Sequence, residues 1–275
     1  PAGTGRRTRE RRAVSFEHLL RSAAEFGSRL GTAVAPAQHE PQLVSVAVDG
    51  ETFGHHEPFA DMCIAALMTQ EAPARSFRAA NYAEFLAESP PTHEVELQPG
   101  PNGEGTAWSC VHGVGRWVRD CGCSTGAQPG WNQAWRAPLR RALDRLRDAL
   151  ATIFHDEGAL LFSNPWSARD DYIDLLLDGS PAARDAFFQR HQTHPLDGAE
   201  RGRALRLLEM QHHAMLMYTS CGWFFADISG IETLQNLRYA ARAIDLAEPF
   251  AHRDLEAILL DDLARAQSNL AVHKT

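Results

Sequence analysis

Three observations predict a mainly helical protein with a smaller α/β part. Apolar residues recur at helical spacing almost without interruption from Trp131 onward. One near-continuous apolar run, Leu43-Val44-Ser45-Val46-Ala47-Val48, stands out in the amino-terminal half. It fits a strand buried on both faces, as in a parallel sheet. Between the two lies Trp108–Gly130, with no periodicity and with Trp, Cys, His, Gly and Arg at close quarters.

Residues 15–31 read as an amphipathic helix. Ser15 can cap it, Phe16, Leu19, Leu20, Ala23, Ala24 and Leu30 recur at helical spacing, and Gly31 can end it. The apolar run stops at Asp49-Gly50, and a second helical stretch starts near Pro58. Helix, strand, turn and helix make an α/β unit. A short helix over 79–88 is halted by Pro90-Pro91, then a short strand is expected near Glu94–Leu97 and a Pro/Gly-rich loop at 98–105. Farther on, Trp135, Leu139, Ala142, Leu143, Leu146, Leu150 and Ile153 describe one stripe, with Pro138 in its first turns or kinking it. Ser167 and Ser180-Pro181 are helix starts, and further stripes run over 205–218, 231–244 and 255–263. A helical bundle is the natural packing. The expected domains are an arginine-rich tail or linker at 1–14, the α/β part at 15–130 and the bundle at 131–275.

Composition excludes several function classes. With 44% hydrophobic and 23% charged residues the chain is an ordinary globular one, not disordered or fibrous. A net charge of −8 argues against nucleic acid as a partner, although Arg6, Arg7, Arg9, Arg11 and Arg12 crowd the opening. No apolar run approaches the ~20 residues of a membrane helix, so no membrane partner is expected. Five cysteines, an odd number with no secretory leader in front of them, predict a reducing, cytoplasmic compartment.

Three stretches carry candidate chemistry. Asp49-Gly50-Glu51-Thr52-Phe53-Gly54-His55-His56-Glu57 follows the apolar run. Carboxylates at the carboxyl end of a parallel strand are where barrel enzymes keep their catalysts, and desolvation there lets a carboxylic acid donate a proton near neutrality. An Asp-Gly turn with solvated neighbours is the competing reading. In the loop, Cys110, His112, Cys121 and Cys123 are ligand types for a tetrahedral Cys₃His zinc site. The pairs are separated by one residue, tighter than the usual two to four, so thiols without a metal are expected, and no cofactor. Trp108 and Trp117, beside Arg116 and His112, suit stacking on sugar faces with polar groups to the hydroxyls, or else anchor the loop as buried side chains. The third stretch, Met210–Asp227, is mostly bundle core. There Met215, Leu216 and Tyr218 should fill the bundle and Ser229 should cap the next helix. The Gly222-Trp223 break makes Trp223 and Asp227 candidates for lining a site.

Asp49-Gly50-Glu51-x-Phe53-Gly54-His55 resembles the fourth conserved region of glycoside hydrolase family 57, the α-amylase, glucanotransferase and branching-enzyme group. Trp108–Gly126, Trp131–Arg140 and Met210–Leu246 resemble the carboxyl-terminal half of its α-amylase/α-mannosidase-like subgroup. The resemblance covers about residues 40–265. It implies a fragment of a (β/α)₇-type barrel at 15–130 followed by a helical domain of unknown function packed on the catalytic face. It also implies a retaining hydrolase or transferase acting on α-glucan or another oligosaccharide, with Asp49 as general acid/base and Glu51 supporting it. His55, His56, Trp108, His112, Arg116, Trp117, Trp223 and Asp227 are then candidate substrate contacts. The family's glutamate nucleophile lies on an earlier strand, for which this sequence offers no candidate. A non-catalytic carbohydrate-binding module and a Cys/His zinc protein are the alternatives.

Overall fold

The computed structural model describes residues 13–273 except 15, 16, 38, 39, 93, 98, 101, 102 and 108. The arginine-rich opening, Ser15, Phe16 and Trp108 therefore lie outside the described residues. The chain divides into two compact units, 1–99 and 100–275.

In the first unit, a turn at Leu19–Arg21 precedes α1 (Ala23–Gly31). The expected helix over 15–31 is thus broken, because His18 adopts a left-handed φ of 57° and Ser22 restarts the chain. Ser22 Oγ accepts the Glu25 backbone N–H at 3.2 Å and so caps α1. α2 (Ala60–Ala66) and α3 (Tyr82–Glu88) follow, the latter capped by Asn81, which accepts the Glu84 N–H at 2.9 Å. Leu19, Leu20, Phe26, Ala60, Cys63 and Leu67 form the core of this unit.

No strand forms among the described residues, which corrects both strand expectations and leaves the barrel fragment unsupported. Residues 43–48 alternate between exposed and half-buried, with Val46 and Val48 against the core, rather than being buried on both faces. Apolar side chains suit a strand, but a strand exists through the N–H and C=O groups of a neighbour. Val95 and Leu97, in the second expected strand, are exposed.

The second unit is the helical half: α4 (Arg136–Gly158), α5 (Pro165–Leu177), α6 (Pro181–His191), α7 (Gly198–Leu216), α8 (Ile231–Ala247) and α9 (Leu255–Leu263). α7 packs on α4 and α8, α9 packs on α4, and α5 packs on α6. The α4 stripe is buried as expected from Trp135 and Leu139 to Leu150, but at its end Ile153 is half-buried and the neighbouring Phe154 fills the core instead. Each such side chain contributes roughly 1.5–3 kcal/mol of hydrophobic stabilisation. Pro138 is the third residue of α4, where its missing N–H has no intrahelical acceptor to lose.

Local sequence accounts for most helix starts. Ser180 caps α6, with Pro181 first in the helix. Asp197 and Glu200 form a reciprocal capping box that starts α7 seven residues before the stripe at Leu205. Two caps were misplaced. α5 is capped by Asn164, whose Oδ1 accepts the Ser167 N–H at 3.1 Å, so Ser167 lies inside the helix. Before α8 the cap position is Gly230, and Ser229 instead donates to Asp227. Met215 is 54% exposed, against the expectation that it fills the bundle; Met217 is buried in its place.

Candidate functional site

Asp49 lies in the first unit, in extended conformation before a turn at Gly50–Thr52. The motif closes on itself: the N–H groups of His55 and His56 donate to the Glu51 carbonyl at 3.1 and 3.0 Å, and the Glu57 N–H donates to Thr52 O at 3.2 Å. Gly54, at φ 114°, makes the reversal possible and donates its N–H to Glu57 O. Asp49, Glu51, His55 and His56 are all exposed, while Thr52 and Glu57 are buried. The expected concave site at a strand end is therefore not what this unit presents. Among the described residues Asp49 stands open to solvent. Sequence reasoning passed over the buried carboxylate of this loop, Glu57, which pairs with His18 Nδ1 at 2.6 Å.

In the second unit, the loop before α4 brings four side chains together. Cys110 Sγ lies 3.8 Å from Cys121 Sγ, 3.8 Å from Cys123 Sγ and 3.9 Å from His112 Nδ1. Cys123 Sγ is 3.3 Å from the same nitrogen, and all four ligand atoms lie within 4.8 Å of one another. Disulfides need sulfurs about 2.05 Å apart, and all three thiols are free. One-residue spacing suffices because of the backbone. Gly122 sits between Cys121 and Cys123 at φ 80°, and Gly113 follows His112 at φ 67°. These left-handed residues turn both arms of the loop inward. Glycines beside the ligands were the missed signal.

Burial pushes the Cys110 thiol up, but hydrogen bonds from the His112 backbone and ring, the Arg116 backbone and Cys121 outweigh it and bring it down to about 7. Burial and the hydrogen bond with Cys110 push the Cys123 thiol up. One thiolate is thus favoured at the centre of the cluster, held by donors around it.

Two arginines fasten this loop to the helical half. Arg116, 5% exposed, lies over the Phe224 ring at 4.4 Å and donates to the Phe224, Ser109 and Thr125 oxygens. Arg136, fully buried at the start of α4, donates to Cys123 O at 2.6 Å and to Phe225 O at 3.4 Å. Trp117 is half-buried and donates its indole N–H to Ser220 O at 3.0 Å. Substrate contact by Arg116 gives way to a structural role: the side chain is buried, and its two terminal nitrogens donate to the Phe224 and Ser109 carbonyls and the Thr125 hydroxyl. His112 is exposed as a residue, but its Nδ1 faces the sulfurs.

Trp223 and Asp227 lie at the break between α7 and α8 as expected, but neither faces outward. Trp223 is 1% exposed and stacks on Tyr218 with ring centres 6.3 Å apart. Asp227, 8% exposed, accepts from Ser229 N–H (2.9 Å) and Oγ (2.7 Å), Ser268 Oγ (2.8 Å), and Asn269 N–H (2.7 Å) and Nδ2 (3.0 Å). Asn269 in turn exchanges two hydrogen bonds with the Asn132 backbone. The carboxylate therefore joins the segment before α4, the break before α8 and the chain after α9. Sugar contact by this pair gives way to a structural role, because Trp223 is buried against Tyr218 and both Asp227 oxygens are taken up by protein donors.

The family model described as "Domain of unknown function (DUF3536)" matches residues 131–275, more than half of the chain. No curated protein and no solved structure matches it.

Proposed function

Because this chain belongs to the DUF3536 family, we propose that it is the carboxyl-terminal part of a carbohydrate-active protein of the family 57 type, a retaining glycoside hydrolase or α-glucan transferase. One observation carries the reading: the DUF3536 match at 131–275 follows the Asp49-Gly50-Glu51-x-Phe53-Gly54-His55 motif in the same chain. This domain is known from the carboxyl-terminal side of family 57 proteins, and the motif resembles that family's acid/base region. Asp49 is the general acid/base in this reading, with Glu51, His55 and His56 around it. The nucleophile, and the cover that desolvates Asp49, come from barrel strands outside these 275 residues. Retaining hydrolysis needs its two carboxyls ~5–5.5 Å apart, so catalysis requires that second piece. In this reading Arg116, Trp223 and Asp227 hold the fold together rather than the substrate. No helix among the described residues is long and apolar enough to cross a membrane.

The test is cleavage of linear α-glucans by the full encoded protein. Asp49→Asn should lower turnover by ~10²–10⁴-fold, the scale of acid–base catalysis. A near-wild-type rate refutes the role. The exposure of Asp49, Glu51, His55 and His56 favours a second reading, a non-catalytic carbohydrate-binding module. Calorimetric titration with maltooligosaccharides separates the two: binding without cleavage supports the module, and neither binding nor cleavage overturns both.

A further inference from the structure

We propose that Cys110, His112, Cys121 and Cys123 bind one zinc ion, and that the ion is a structural clasp that fixes the loop before α4 onto the helical half. The inference is independent of the carbohydrate reading.

The geometry argues for it first. In a tetrahedral site with Zn–S ~2.3 Å and Zn–N ~2.0–2.1 Å, sulfurs stand about 3.8 Å apart and a sulfur stands about 3.5 Å from the nitrogen. Cys110 Sγ is 3.8 Å from each of the other two sulfurs, and the Cys110 and Cys123 sulfurs stand 3.9 and 3.3 Å from His112 Nδ1. Those spacings are too long for a disulfide, and they leave room for an ion at the centre. The donor set of three soft thiolates and one imidazole selects zinc over the hard, oxygen-preferring magnesium and calcium. Four protein ligands close the coordination shell, which is the mark of a structural rather than a catalytic zinc.

The surroundings argue for it next. Three thiolates on a divalent ion leave about one negative charge, which is favourable only beside cations. The guanidinium groups of Arg119 and Arg136 interact electrostatically with these cysteines, Arg119 with Cys110 and Cys121 and Arg136 with Cys121 and Cys123. Arg136 also donates to the Cys123 carbonyl at 2.6 Å. Asp120, between the two arms, accepts the Gly122 N–H and the Gln133 N–H, both at 3.0 Å. Such outer contacts orient metal ligands and tune their affinity. They also say what the ion does. Between residues 109 and 130 Cys110 is the one buried apolar side chain, while Val111 and Val118 are exposed, so a metal that joins the arms supplies the interior the loop lacks.

Metal analysis of the purified chain should find one zinc per molecule. Cobalt(II) titration of metal-free protein should give the visible bands of a tetrahedral thiolate site, which zinc then bleaches. Cys110→Ser, Cys121→Ser and Cys123→Ser should each weaken zinc binding by more than the ~10–100-fold typical of outer-contact substitutions. Cys63→Ser and Cys221→Ser should leave it unchanged. Chelation should raise amide exchange across residues 109–125 and lower the melting temperature. If a ligand variant does not fold, the cobalt spectrum of the wild-type chain still decides. Absence of stoichiometric zinc and of the cobalt bands overturns the proposal. So does a disulfide among the three cysteines, an iron–sulfur chromophore, or zinc binding that survives all three substitutions.

Discussion

Asp227→Asn isolates what a buried carboxylate does at the α7–α8 break. Five donors from Ser229, Ser268 and Asn269 converge on its two oxygens at 2.7–3.0 Å. Burial alone would raise this carboxyl, but the Ser229, Ser268 and Asn269 donors outweigh it and hold it at about 2, against 3.8 for an unperturbed Asp. A shift of that size corresponds to about 2 kcal/mol of stability carried by the charge. The Asn side chain adds a second loss, since its NH₂ must face either the Ser229 and Ser268 donors or the two donors of Asn269. A buried donor left without an acceptor costs ~1–3 kcal/mol. Together these predict a destabilisation of about 3–5 kcal/mol at neutral pH. The pH dependence has a definite sign. The folded-state value is depressed, so the stabilisation is complete above the unfolded value of 3.8 and is lost as pH falls through about 2. The gap between wild type and Asp227→Asn should therefore narrow by about 2 kcal/mol on going from neutral pH to about pH 2. Urea denaturation followed by tryptophan fluorescence measures both numbers. A gap below about 1 kcal/mol at neutral pH, or one that does not change with pH, refutes the reasoning.

Three further outcomes follow from the same contacts. Trp223→Ala removes a fully buried ring stacked on Tyr218 and should cost ~3–5 kcal/mol in chemical denaturation; lost α-glucan affinity at unchanged stability would restore its substrate role. Arg136→Met leaves the Cys123 and Phe225 carbonyls without their buried donor. It should lower stability by ~1–3 kcal/mol, with Arg136→Lys no rescue because one ammonium lacks the fork, and a melting curve of the Lys variant equal to wild type counts against this. Gly113→Ala places a Cβ 2.7 Å from the Gly105 carbonyl oxygen at a φ of 67°. Thermal melts should show a loss of ~1–3 kcal/mol, and no loss would mean the loop relaxes freely.

The extent to which residues predicted their own roles differs along the chain for identifiable reasons. Helices α4, α7, α8 and α9 were legible because their information is local: an apolar stripe every three or four residues, joined in α7 and α9 by a capping aspartate, Asp197 and Asp254. The apolar run 43–48 was not decidable in the same way, since β structure depends on a partner strand that local sequence does not describe. The adjacent pair His212-His213 shows the limit at finer scale. Two neighbours on a helix point different ways, yet both rings reach Glu209, at 3.5 and 3.2 Å, because it lies three residues before one and four before the other.

Sequence by itself determined the helical half, its α4 stripe, the α7–α8 break at Gly222-Trp223 and the presence of four zinc-type ligands in one loop. Tertiary structure decided what those residues do. Asp227 became a hub because Ser268 and Asn269, some forty positions later, return to it, and Arg116 became a clamp because the Phe224 carbonyl, 108 positions away, lies within its reach. The cysteines and His112 became one cluster because Gly113 and Gly122 take left-handed backbone conformations that a spacing rule does not register. Periodicity and capping are short-range and are written in neighbouring residues. Convergence of donors, sulfurs and carbonyls on one point is long-range, and it exists only once the chain has folded.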